Sequence, residues 1–224
     1  VKLSNVITGD DIKPDYVIIG LRSDGQTAWE ESRNSGMMSN GSTLARHCLM
    51  LPEYATKYPE IRDPNGAEYY GKYRTDQNHS DLGMTVGEAL ISPTRLFAIP
   101  MKELCRHNEI PGLVHNTGGG QTKILKVGYN IHYIKDNLPE PPPLFYLIQQ
   151  ESGESWMDMY KGFNMGIGVD VIVEPGSEKY VIDAMYELGI GAQRTGYCEE
   201  GTGENSLTIK SKFGEFNYPE SQAV

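Results

Sequence analysis

The stretch Leu113-Val114-His115-Asn116-Thr117-Gly118-Gly119-Gly120 holds the residue types best suited to chemistry. An apolar run from Ile110 to Val114 reads as a short buried strand that delivers a polar pair into three consecutive glycines. A triple glycine costs backbone entropy, so it belongs where the chain must take φ > 0 or lie close against a neighbour. Gln121 to Lys126 then reads as a first helical turn, continuing to about Val127. Strand, glycine loop and helix start together make an anion cradle, because free N–H groups at a helix N-terminus carry partial positive charge. A plain tight turn between two elements is the competing reading.

The elements that must position this loop follow from hydrophobic pattern and punctuation. Tyr16 to Leu21 is β-branched and continuous, a strand buried on both faces. Arg22 to Met38 reads as a long polar loop carrying Trp29. Ser39 or Asn40 supplies an N-cap for a helix reaching Met50. Pro52 to Gly83 is tyrosine-rich and broken by Pro59, Pro64, Gly66 and Gly71, a surface excursion suited to packing or an interface. Helical segments are expected at Thr85–Ile91 and Leu96–His107, the latter with a kink or break at Pro100. Further helices are expected at Leu144–Glu151, Ser155–Tyr160 and Glu178–Leu188, the last closed by a C′ glycine at Gly189. Strands are expected at Asn130–Ile134, Phe163–Val173, Ala192–Tyr197 and Ser206–Lys210, with a polar tail over 213–224. Strands and helices mix without strict βαβ alternation, so the fold class is α+β, a sheet covered by helices.

Composition narrows the partners. Among 224 residues, 38% are hydrophobic, enough for one well-cored domain or two small ones. Twenty Lys+Arg face 30 Asp+Glu, a net charge of -10, which repels nucleic-acid phosphates and anionic membranes. Neither nucleic acid nor membrane is therefore an expected partner, whereas a phosphorylated small molecule in a local N–H cradle is compatible with that field. No run approaches the length of a membrane span and no signal peptide opens the chain. Cys48, Cys105 and Cys198 are isolated, as reduced thiols of a cytoplasmic protein are. No cluster has metal-ligand spacing. The chain begins at Val1, without an initiator methionine, as a piece of a longer protein would.

Four stretches resemble phosphoribosylformylglycinamidine cyclo-ligase, or AIR synthetase, in that family's order. Gly36-Met37-Met38-Ser39-Asn40-Gly41-Ser42-Thr43-Leu44-Ala45-Arg46 is similar to its Ser-Gly-x-His-Ser-Asn-Gly-Tyr-Ser-Leu-x-Arg motif. Gly87 to Phe97, with Pro93-Thr94-Arg95, is similar to its Leu-Leu-x-Pro-Thr-Arg-Ile-Tyr. His115 to Gly120 is similar to its His-Ile-Thr-Gly-Gly-Gly, and Met159 to Gly168 to its Met-Tyr-Arg-Thr-Phe-Asn-x-Gly-x-Gly. The resemblance spans residues 1–212 and implies the family's C-terminal domain, a mixed, mostly antiparallel sheet covered by helices. Two segments, 22–35 and 52–83, are longer than the family's. Met38 replaces the family histidine and removes that imidazole's hydrogen bond. No Asp-Gly-Val-Gly-Thr-Lys segment is present; in the family it belongs to an N-terminal domain that pairs across a homodimer to hold ATP and Mg2+.

The resemblance implies ATP-dependent ring closure of formylglycinamidine ribonucleotide to aminoimidazole ribonucleotide, a reaction of positioning and charge stabilisation with no protein nucleophile. It assigns Ser39, Asn40 and Gly41, with Thr117, Gly118, Gly119 and Gly120, to two donor clusters for the substrate. Ser39 has simple N-capping as its alternative role. His115 would orient the amidine or shuttle a proton, or else be a structural strand-end residue. Arg95 would bind phosphate or pair with a carboxylate. Asn164 would reach the same pocket. Other members of the superfamily, such as the amidotransferase, selenophosphate synthetase, thiamine-monophosphate kinase and a hydrogenase-maturation protein, share the domain design. A non-catalytic binding domain of this fold is the alternative of a different class.

Overall fold

The computed structural model describes residues 6–62, 68–107 and 110–223; Pro64 and Gly66 lie outside them. One seven-stranded sheet organises the chain. Its strands are β1 (Val17–Arg22), β6 (Gly112–His115), β7 (Ile131–Lys135), β8 (Ile167–Val173), β9 (Ala192–Glu200), β10 (Ser206–Ser211) and β11 (Gly214–Pro219). Their spatial order is β11-β10-β7-β9-β1-β8-β6. Every neighbouring pair is antiparallel except β7 with β10, so the sheet is mixed and mostly antiparallel, as expected.

Side chains alternate along the strands and divide the core in two. Ile18, Val114, Ile131, Tyr133 and Ile172 face α1 (Ser42–Leu49), α3 (Val86–Ile91), α5 (Pro143–Ser152) and α6 (Trp156–Gly162). Val17, Ile19, Leu21, Val169, Val171 and Val173 face α4 (Ala98–His107) and α7 (Glu178–Glu187). The strand expected to be buried on both faces is therefore β1, the middle of the sandwich.

Local signals set several boundaries. Thr85 and Glu88 form a reciprocal capping box at the start of α3. Gly153 and Gly189 take left-handed φ of 73° and 72° where α5 and α7 stop. Pro100 falls in the first turn of α4, where its missing N–H removes no helical bond, so the helix starts at Ala98 and is not broken inside.

Other expectations are corrected. Asn40 and Ser39 do not cap α1: its N-cap is Gly41, in the left-handed region, with no side-chain cap bond. The helix expected after the triple glycine is a 3-10 helix, Gly120–Lys126. The strand expected from Phe163 starts only at Ile167, because Met165 and Gly166 turn the chain with φ of 51° and 91°. The polar loop at 22–35 contains a two-stranded ribbon, β2 (Asp24–Gly25) with β3 (Asn34–Ser35). The excursion at 52–83 contains α2 (Glu53–Lys57), a 3-10 turn Pro59–Ile61, and β4 (Asn78–His79), which pairs with β5 (Met84–Thr85). Its tyrosines divide: Tyr69 is buried and bonds the Ile61 carbonyl, whereas Tyr58 and Tyr70 are exposed. Residues 213–224, read as a tail, supply β11 and a 3-10 turn at Glu220–Gln222, and Tyr218 enters the core.

Candidate functional site

The loop from His115 to Gly120 leaves the end of the edge strand β6 and is held mostly by its own backbone. Asn116 N–H bonds the Gly168 carbonyl at 2.9 Å, Thr117 N–H that of His115 at 2.7 Å, and Gly120 N–H that of Thr117 at 2.9 Å. These donors are spent inside the turn and on β8's approach, so the broad anion cradle gives way to the competing tight turn. Gly120, at φ 49°, sits against the chain at Phe163: an added Cβ would come within 2.4 Å of the Phe163 carbonyl oxygen. The 3-10 start is consequently buried, and the exposed corner of the loop is Gly118.

The Ser39-Asn40-Gly41 turn meets this loop. Asn40 is buried, and its amide Nδ2 donates to the Asn116 carbonyl at 3.3 Å and to the Thr117 carbonyl. Gly41 is required at φ 64° because the Phe163 ring occupies the space of a Cβ. Ser39 is exposed beside them. Met38, where the family motif has histidine, is buried in the core with Phe97 and Val169.

A cavity of about 450 Å³ opens next to the loop, lined by Thr94, Leu96, Phe97, Met101, Leu113 and His115 among others. His115 is exposed but lays its ring edge-to-face against Phe97, centroids 5.7 Å apart. Loss of hydration there pushes the imidazole below its usual pKa, so the ring is neutral at pH 7. Neutral imidazole both donates and accepts a hydrogen bond.

Two expected residues are engaged elsewhere. Arg95 is buried, and its Nε and Nη2 bond both oxygens of Glu30 at 2.8 Å while Nη1 reaches the Arg22 carbonyl at 2.9 Å. This is the carboxylate pairing held open as its alternative. Burial alone would raise the Glu30 carboxyl, but bonds from Arg95 and Thr27 hold it below the ordinary range. Asn164 is fully buried: its Nδ2 donates to the Met37 carbonyl, and its Oδ1 accepts from Ser23 Oγ and Gly166 N–H. It knots the turn at 163–166 to the segment before Asn40 and does not face the cavity.

The sequence reading gave no role to the residues beneath the loop. Lys135 and Asp170, both completely buried, form an ion pair at 2.6 Å. Lys135 also donates to Gln121 Oε1, and Asn116 Nδ2 donates to Asp170 Oδ2 at 3.0 Å. Gln121 in turn bonds the Asn164 carbonyl. Burial pushes the Lys135 amine below its usual pKa, with the Asp170 charge opposing the shift. The signal was a charged residue inside the apolar run of β8 and another closing β7. Phe97 was likewise legible in the Pro93-to-Phe97 motif but had no assigned role.

Among the described residues no three His, Cys, Asp or Glu side chains converge as a metal centre requires, and no helix is long and apolar enough to cross a membrane.

No family model matches the chain. It is similar to phosphoribosylformylglycinamidine cyclo-ligase of Methanopyrus kandleri, 34% identical over 199 residues, covering 88% of this chain and 48% of that protein. The cyclo-ligase of Methanocaldococcus jannaschii is 35% identical over 214 residues, covering 95% and 53%. The chain thus spans about half the length of the curated relatives it matches. Among solved structures, PurL of T. maritima complexed with FGAR superposes with a TM-score of 0.54 at 10% identity, covering 100% of this chain and 30% of that one. That likeness shows the fold.

Proposed function

The chain belongs with the phosphoribosylformylglycinamidine cyclo-ligases by homology over about nine-tenths of its length, and on that premise we propose that it is the substrate-side, C-terminal half of such an enzyme. The reaction is the ATP-dependent closure of formylglycinamidine ribonucleotide to aminoimidazole ribonucleotide. The observation that carries this reading is the junction, through Asn40, of the Ser39-Asn40-Gly41 turn with the His115–Gly120 loop, whose His115 lines the cavity beside Phe97.

ATP supplies the activation, converting the formyl oxygen into a phosphate leaving group; the amidine nitrogen then bonds that carbon and phosphate departs. The protein's share is placement. Ser39 hydroxyl and the exposed Gly118 corner contact the ribose phosphate end. Thr117, Gly119 and Gly120 hold the loop's curvature, and Asn40 fixes it against Gly41. Neutral His115 accepts the proton released by the cyclising nitrogen, with Phe97 holding its plane. Arg95, clasped by Glu30, shapes the cavity rim, and Asn164 supports the turn behind it. ATP and Mg2+ are assigned to an N-terminal domain of the longer protein, with the complete enzyme a cytoplasmic homodimer.

The test is turnover by the full-length gene product: formylglycinamidine ribonucleotide and ATP should yield aminoimidazole ribonucleotide, ADP and phosphate in equal amounts. Absence of all three products, with a folded protein, overturns the reading. Reading the coding sequence upstream of Val1 is the companion check, where an in-frame Asp-Gly-Val-Gly-Thr-Lys segment is expected.

A further inference from the structure

We propose that the buried Lys135–Asp170 pair is a positioning device for the substrate loop, acting through Asn116; as a role in substrate binding it rests on the function proposed above. Lys135 ends β7 and Asp170 sits mid-β8, strands separated in the sheet by β9 and β1. Lys135 shares the helix-rich face with Ile131 and Tyr133, and Asp170 shares it with Ile172. The lysine stem therefore crosses the middle of the sheet to reach the carboxylate. Glycines keep that path low: Gly20 is the cross-strand partner of Asp170, and a Cβ at Gly196 would lie 2.9 Å from the Lys135 Cα.

Stability alone does not explain such a pair. Removing two ions from water costs several kcal/mol each, and well-packed apolar replacements are often as stable or more so. What the pair fixes is the orientation of one amide. Asp170 Oδ2, which already accepts from Lys135 Nζ, faces Asn116 as an acceptor and so obliges it to present Nδ2 rather than Oδ1. Nδ2 also bonds the Ile167 carbonyl at 3.2 Å, which locks the Asn116 side chain to β8. The Asn116 and Thr117 carbonyls are the acceptors that Asn40 uses to join the two substrate turns. Lys135 simultaneously holds Gln121, the residue just past the triple glycine. Both ends of the loop are thus tied to one buried charge pair. Among the described residues Asn116 Oδ1 and Asp170 Oδ1 find no bonding partner, so this orientation rests on the few contacts named.

The experiment compares full-length wild type with the charge-balanced double variant Lys135→Met/Asp170→Leu and with the isosteric Asp170→Asn. Hydrogen exchange at the Thr117–Gly120 amides and steady-state kinetics are read on each. The double variant should keep its melting temperature, exchange those loop amides about 10-fold faster with β1 amides unchanged, and raise KM for formylglycinamidine ribonucleotide about 10-fold with KM for ATP unaltered. Unchanged loop exchange in a folded variant overturns the proposal, as does faster exchange with an unaltered substrate KM. If the double variant does not fold, Asp170→Asn decides by the same two readouts, since it keeps the shape but frees the amide of Asn116 to turn. Lack of turnover by wild type would instead count against the proposed function, while the exchange comparison still judges the positioning of the loop.

Discussion

At Asn40, expected as a substrate donor or a helix cap, a single carboxamide joins two turns. Of its two acceptors the Thr117 carbonyl keeps the Gly120 N–H on truncation, whereas the Asn116 carbonyl loses this donor, and a buried acceptor left unpaired costs about 1–3 kcal/mol. Asn40→Ala should therefore lower stability by about that amount in chemical denaturation and raise substrate KM, with ATP KM unchanged. His115 carries a pH signature. Its folded pKa lies below the unfolded 6.5, so the unfolded chain binds more protons in that window. Its contribution to stability is complete above pH 6.5 and is lost as pH falls through the folded value. His115→Phe should flatten the acid limb of a melting-temperature profile, and in the full-length enzyme should remove the acid limb of kcat/KM. The residues of the candidate site stood out in the sequence because the motifs are contiguous. Their partners were not: Glu30 stands 65 positions from Arg95 and Asp170 stands 35 from Lys135, distances over which no local pattern operates.

Elements whose ends carry their own chemistry were readable in advance. Gly189, read as a C′ glycine, acts within one helical turn, so α7 declares itself; the Thr85–Glu88 box and Gly153, which the structure adds, bound α3 and α5 just as locally. The ribbon of β2 and β3 did not, since two-residue strands have no period to detect. It depends instead on Arg95, which reaches back from the connector before α4 to Glu30 and to the end of β1. Arg95 is almost wholly enclosed, with its side chain 1% exposed. Removing its counter-charge leaves a buried cation, a loss of about 3–5 kcal/mol. Glu30→Gln should fall toward the low end of that range, and limited proteolysis should then cut first within 26–33. Unchanged denaturation and cleavage would mean the clasp is not holding the ribbon. The 3-10 helix at Gly120–Lys126 was misread for a related reason: a helical composition says nothing of the Phe163 backbone pressed against Gly120.

Across the whole molecule, the last residues close the sheet. β11 pairs with β10 along six positions, from Ser206 with Pro219 to Ser211 with Gly214. Truncation after 212 should expose the β10 edge, strip Tyr218 from the core and reduce the yield of unaggregated protein, measured by size-exclusion chromatography. A truncated chain with native melting and no aggregation would return 213–224 to the status of a tail. The sheet order has another consequence, in time. β1 comes before the sheet's other strands in the chain, yet it lies between β8 and β9, where Val17 pairs with Val173 on one side and Tyr197 on the other. A ribosome adding about 5–20 residues per second leaves that apolar strand unpartnered for on the order of ten to thirty seconds. A strand buried at five of its six positions is thus the one that waits longest for its neighbours, and the nascent chain must be shielded until its C-terminal third emerges.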